Sequence, residues 1–163
     1  MFKNKYISLL ILTLMILSFA TINISALANV PNPSLESFVN DLKQIENDYY
    51  LVGKTVITNS DNKDKNSQLK KEINFYISKI QSIQSSLANY ASTIKENSVE
   101  SRNIALLQFA ADFYRRGLTE LLIMLDTEDD TEYYNALEFY YYAKILAQQS
   151  VAFVEDQLST TKK

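Results

Sequence analysis

"YYNALEFYYYAKIL", Tyr133 to Leu146, places six aromatic rings in the ten residues from Tyr133 to Tyr142, with a single acid, Glu138, among them. The fold turns on whether those rings are core or face something else. At about 100° per residue, Tyr133, Tyr140, Ala147, Val151 and Leu158 fall on one side of a helix. Tyr142, Ile145 and Phe153 fall nearly opposite, with Phe139 and Leu146 between. From Phe139 to Val154 the helix is apolar almost all round, and Lys144 is its one charge. A bundle helix normally keeps one face in water. Either this helix sits centrally, covered by the rest of the chain, or a second face meets a partner. Tyrosine suits both, because it buries a large ring while its hydroxyl seeks a hydrogen bond or the surface. Phe139, Tyr142, Leu146 and Phe153 are the candidate interaction residues.

The inward line of this helix reads Tyr133, Leu137, Tyr140, Lys144, Ala147, Val151, Val154 and Leu158, over a span of 128–158 that Thr127 with Asp130 would cap. Lys144 on that line is expected to snorkel its ammonium to the bundle edge. A buried lysine acting as base or nucleophile is the chemical alternative. Three more stripes precede it. Leu35, Phe38, Val39, Leu42, Ile45, Tyr49 and Val52 predict a first helix over 33–52, entered through Asn32 and Pro33 and closed by Gly53 in a left-handed conformation. Ile73, Ile77, Ile80, Gln84, Leu87, Ala91 and Ile94, widened by Tyr76, Ile83 and Tyr90, predict a second over 64–95. Ile104, Leu107, Ala111, Tyr114, Leu118, Leu121 and Leu125 predict a third over 98–126, started by a capping box of Asn97 and Glu100. "KTVITNSDNKDKNSQ", Lys54 to Gln68, reads as an exposed mobile loop, and "STTKK", 159–163, as a frayed tail. The fold class is all-α, an elongated up-down-up-down four-helix bundle occupying 29–158.

Upstream, Lys3 and Lys5, an apolar run from Tyr6 to Ala20 and the small-x-small "ALA" at Ala26 to Ala28 form the pattern of a secretory signal peptide, residues 1–28, cleaved between Ala28 and Asn29. An uncleaved membrane anchor is the competing reading, since about 17 apolar-rich residues is the lower limit for a span. Without cysteine, the chain has no thiol for acylation and no disulfides, so packing alone must hold it. Removing the leader leaves 14 basic and 19 acidic side chains, a net charge of −5, which argues against general nucleic-acid binding.

Chemical motifs dissolve on inspection. "STIK", Ser92 to Lys95, matches the Ser-x-x-Lys of penicillin-binding proteins, and "SDN" at Ser60 to Asn62 a second element. The order is reversed, "KTG" is missing, and "SQLK" at Ser67 to Lys70 is another chance match. "GKT", Gly53 to Thr55, has Asp48 where a phosphate-binding loop needs its first glycine. "DTEDDTE", Asp126 to Glu132, gathers five carboxylates of the kind calcium prefers, but lacks the central glycine and final glutamate of an EF-hand. Helix capping explains these acids, with Asp126, Glu128, Asp129 and Asp130 as candidate divalent-metal ligands. Lys63, Lys65, Lys70 and Lys71 form a solvated basic cluster that could alternatively touch a membrane surface or an anionic wall polymer. Asp112 and Arg116 are spaced for a surface ion pair.

Histidine and cysteine are both absent, which removes the commonest general base, thiol nucleophiles and zinc sites. The expectation is a secreted or cell-surface, non-enzymatic bundle without cofactor that contacts a protein partner, or itself, through the aromatic helix. A membrane-associated bundle and a carboxylate-based metal or small-ligand binder are the alternatives.

Overall fold

The structure, a computed structural model, describes residues 34–59 and 63–161, with the side chains of residues 63, 64 and 161 left aside. The proposed leader over 1–28, its cleavage point at Ala28 and Asn29, and the Asn32–Pro33 helix start lie outside the described residues. The described residues form four helices: α1 (Leu35–Asn59), α2 (Lys63–Ala91), α3 (Val99–Asp126) and α4 (Asp130–Thr161). Among the described residues there is no strand.

Every apolar residue of the expected α1 and α3 stripes is buried. In α2 the buried line is Leu69, Ile73, Ile80, Ile83 and Leu87, so Ile83 takes the place expected of Gln84. Pairs across the bundle fix the directions of the helices. Phe38 meets Tyr90 and Asp48 meets Lys79, so α1 and α2 are antiparallel. Tyr90 bonds Glu100 and Asn66 bonds the Leu125 carbonyl, so α2 and α3 are too. Lys43 pairs with Glu155 and Gln148 with Glu46, which makes α4 antiparallel to α1. The helices α1 and α3 touch each other and both neighbours, while α2 and α4 lie on opposite sides and make no contact. The aromatic helix is thus a flank of the bundle and not its centre.

Several boundaries differ from the sequence reading for local reasons. Helix α1 starts at Leu35 with Ser34 and Ser37 in reciprocal backbone-to-hydroxyl bonds of 3.2 and 3.0 Å, a capping box built from two serines. It then runs through Gly53, which has no positive φ, to Asn59. The polar residues that suggested a loop instead bond back along the helix: Thr55 to the Leu51 carbonyl, Thr58 to Lys54 and Asn59 to Thr55. Val56 continues the buried stripe four residues after Val52. Only residues 60–62 separate α1 from α2, so the expected loop over 54–68 is helix at both ends.

Helix α2 stops at Ala91, four residues short of expectation, and the following turn brings Asn97 to φ 60°, a left-handed conformation that asparagine tolerates. Ser98, not Asn97, then caps α3, accepting from the Ser101 N–H at 3.0 Å. Glu100 is released from the expected capping box and accepts from the Tyr90 hydroxyl at 2.6 Å. Asp129 caps α4 by accepting from the Glu132 N–H at 3.0 Å, and Thr127 supports that turn by accepting from the Asp129 N–H. At the far end α4 is helical to Thr161, so the expected tail over 159–163 begins within the helix.

Three tyrosines form the middle of the core. Tyr49 of α1 and Tyr140 of α4 stack with centroids 4.6 Å apart and planes 3° from parallel. Tyr49 donates its hydroxyl to the Tyr140 carbonyl at 2.8 Å, and Tyr140 donates to the Tyr49 carbonyl at 3.0 Å. Tyr114 of α3 tilts against Tyr49 at 5.3 Å. Rings this long fit because two glycines make room: a Cβ on Gly53 would sit 1.8 Å from the Tyr140 hydroxyl, and one on Gly117 would sit 1.8 Å from the Tyr49 hydroxyl.

Burial pushes all three phenols well above their usual value of 10.0. A raised folded-state value means that the neutral form is favoured in the fold. The stabilisation is therefore complete below pH 10 and is lost as pH climbs from there toward the folded-state values, at about 1.4 kcal/mol per pH unit for each phenol. Melting temperature should fall steeply above pH 10, and a Tyr49→Phe, Tyr140→Phe chain should show a shallower fall in the same titration. Equal slopes would contradict this account of the core.

Candidate functional site

The buried line of α4 is Ala136, Tyr140, Ala143, Ala147, Ser150, Val151 and Val154. It is displaced from the expected line by part of a turn, with Ala143 and Ser150 inside, Lys144 half-buried, and Tyr133, Leu137 and Leu158 packed at the margin. Small residues dominate it, which lets α4 lie close against α3 and α1, since the separation of packed helices follows the size of the side chains between them. With Tyr49, Tyr114 and Tyr140 filling the core at this level, the other rings of α4 have no room inside. Of the six rings in Tyr133 to Tyr142, only Tyr140 is core.

Tyr133 and Phe139 are half-buried at the margins, and the remaining rings face outward. Tyr134 is 66% exposed, Tyr142 54% and Phe153 55%, and Tyr141 and Ile145 are about half exposed. Phe139 and Leu146 are half-buried at the border with α3. Of the four interaction candidates, Tyr142 and Phe153 are exposed, and Phe139 and Leu146 form one half-buried edge. Helix α3 extends the surface in a way the sequence reading missed. Phe113 meets Tyr142 edge-on at 6.4 Å, and Phe109, itself exposed, stacks edge-on with Phe113 at 4.4 Å. The signal was present, because Phe109 and Phe113 are four apart and off the stripe of Leu107, Ala111 and Tyr114.

Two adjoining depressions lie on this side. A wide groove of about 700 Å³ at the start of α4 is lined by Glu120, Ile123, Asp129, Glu132, Ala136 and Phe139, among others. A notch of about 250 Å³ is formed by Asn135, Glu138, Phe139 and Tyr142, which are successive residues of one helix face. The two share Asn135 and Phe139. Partial burial raises the Glu120 carboxyl above its usual range.

The charges around the face are distributed unevenly. Lys144, expected on the inward line, leans toward α1 with its ammonium 4.7 Å from the centre of the Tyr50 ring. Arg115 and Arg116 both pair with Asp112 at 2.7 Å, and Lys43 pairs with Glu155. These arginines pull the Asp112 carboxyl below the usual range, against the opposing effect of its own desolvation. On the outward arc of α4 itself the charged residues are Glu138 and Asp156, and neither makes an ion pair among the described residues.

The other sequence candidates are dispersed. Asp126 pairs with Lys70 and Asp129 is occupied as a helix cap, so the acids Asp126, Glu128, Asp129 and Asp130 do not converge. Among the described residues no group of three such side chains could hold a metal ion. In the basic cluster Lys70 is committed to Asp126, Lys65 reaches Asn59 at 3.3 Å, Lys71 is exposed, and the Lys63 side chain lies outside the described residues. Ser92 bonds the Asn89 carbonyl in the turn after α2, and Gly53 to Thr55 sit inside α1, so neither motif forms a site. No helix among the described residues is long and apolar enough to cross a membrane. In comparisons with protein-family models, curated proteins and solved structures, nothing matches this chain.

Proposed function

We propose that the chain is an exported, non-enzymatic helical bundle that works by contact, through the outer face of α4, with itself or with another exported or cell-surface protein. The observation that carries this reading is the size of the exposed aromatic face. Tyr134, Tyr141, Tyr142, Ile145 and Phe153 of α4 and Phe109 of α3 are each about half exposed or more. With roughly 100 Å² left on each, they present on the order of 600 Å² of largely apolar surface. Summed over the six side chains, that area compares with the roughly 800 Å² per partner of a standard protein interface. Export rests on the leader read in residues 1–28. Contact with a membrane surface has less support, because Lys70 is neutralised by Asp126 and the apolar face itself carries acids that anionic headgroups would repel.

Light-scattering mass and thermal melting of the purified protein, beside a Tyr142→Ser, Phe153→Ser variant, test the reading. A dimeric parent with a folded monomeric variant identifies self-association. A monomeric parent with a variant of unchanged melting temperature leaves the face open for a foreign partner. A variant that loses several kcal/mol of stability would show that the rings are structural, and the reading would fall.

A further inference from the structure

We infer that the outer face of α4 docks a cationic amphipathic helix, with a lysine or arginine of that partner seated in the notch formed by Asn135, Glu138, Phe139 and Tyr142. This rests on the reading of that face as a docking surface and adds the chemistry of what it accepts. Charge complementarity selects the partner. The face offers broad apolar area with Glu138 and Asp156 upon it and Glu120 and Glu132 along its α3 edge, while the neighbouring cations are committed elsewhere: Lys144 over Tyr50, and Arg115 and Arg116 to Asp112. Among the described residues, a second copy of the chain docked through the same face would bring acids and apolar rings, and its nearest cations, Lys144, Arg115 and Arg116, already hold partners. A basic partner satisfies both components at once.

The notch has a shape that suits a cation. The Phe139 and Tyr142 rings lie 6.3 Å apart and tilted by 56°, with Glu138 and Asn135 completing a hollow of about 250 Å³. Aromatic faces attract cations within about 6 Å, guanidinium above all, and an adjacent carboxylate adds a charged hydrogen bond. Glu138 and Asp156 are 18 residues apart on one helix. They are therefore about 27 Å apart, so an apposed helix of about 18 residues bearing cations near both ends could meet both.

The test is an anisotropy titration of the purified protein with two labelled 18-residue amphipathic peptides, one of leucine and lysine and one of leucine and glutamate. It is run at low and at moderate salt, with light scattering in parallel. The lysine peptide should bind at least tenfold more tightly than the glutamate peptide, and Glu138→Gln should weaken it by about tenfold at low salt while flattening its salt dependence. Tyr142→Leu, which keeps an apolar side chain, should reduce the same preference. Equal binding of both peptides, or a preference untouched by Glu138→Gln, overturns the inference. If Tyr142→Ser with Phe153→Ser still abolishes that binding, or dissociates a dimer, the docking face survives without its cation preference. Binding and mass that ignore those serines remove both.

Discussion

Replacing Tyr140 with alanine is expected to cost about 4 kcal/mol of stability, whereas alanine at the adjacent Tyr141 or Tyr142 costs about 1 kcal/mol or less. Tyr140 is 2% exposed, stacked on Tyr49 and bonded to its carbonyl, so truncation leaves a cavity and removes the hydroxyl donor of one of the two reciprocal bonds, leaving the Tyr49 carbonyl without it. Tyr141 and Tyr142 are about half in water, and each loses only edge contacts, to Tyr140 in one case and to Phe113 and Phe139 in the other. Urea unfolding of the three variants reads this directly. Similar losses at all three positions would mean that α4 is rotated or covered differently from the structure described here.

The second large effect is expected where almost nothing is added. Gly53→Ala and Gly117→Ala each replace a poor helix former with the best one, a gain of about 1 kcal/mol at an open helical site. Here the sign reverses. At Gly53 the new Cβ would meet not only the Tyr140 hydroxyl but the ring carbon behind it, at 2.3 Å, so the whole ring must move. At Gly117 the Tyr49 hydroxyl is the obstacle. Displacing either ring strains the stack and breaks a hydrogen bond between α1 and α4, for a net cost of about 3 kcal/mol. At this chain length that lowers the melting temperature by roughly 10 °C. Tyr49→Phe, which removes the atom closest to Gly117, should recover part of the Gly117→Ala loss in a double-mutant cycle, and additive effects would contradict the close approach.

Both contacts lie where local sequence pattern carries the least information. The stripes of α1 and α3 were legible because their apolar residues repeat at three and four with little ambiguity. Helix α4 was not, because apolar residues occupy most of its circumference, and periodicity cannot rank an alanine against a tyrosine for the inward place. What decides it is the close packing that the small residues Ala136, Ala143 and Ala147 permit, a property of the assembled bundle. Gly53 misled for a related reason. In isolation a glycine after an apolar stripe signals a helix end, but its cause here is a tyrosine arriving from α4, 87 residues away in sequence. Asn97 and Ser98 exchanged roles because both can cap, and only the left-handed turn at Asn97 selects between them. The exposed rings were foreseeable as one of two readings of the aromatic helix, and their extension onto Phe109 and Phe113 follows from the pairing of α3 with α4.

The outer face of α4 is open, and the line one half-turn away is shut. The chain lacks cysteine, so single substitutions Tyr142→Cys, Phe153→Cys and Ala147→Cys each introduce one reporter thiol. Labelling with a thiol-reactive dye should proceed at positions 142 and 153 at close to the rate in denaturant, and at position 147 at least a hundredfold more slowly, because there reaction must wait for opening of the fold. In dilute protein, protection at 142 and 153 equal to that at 147 would place the face inside the molecule and end its role as a docking surface.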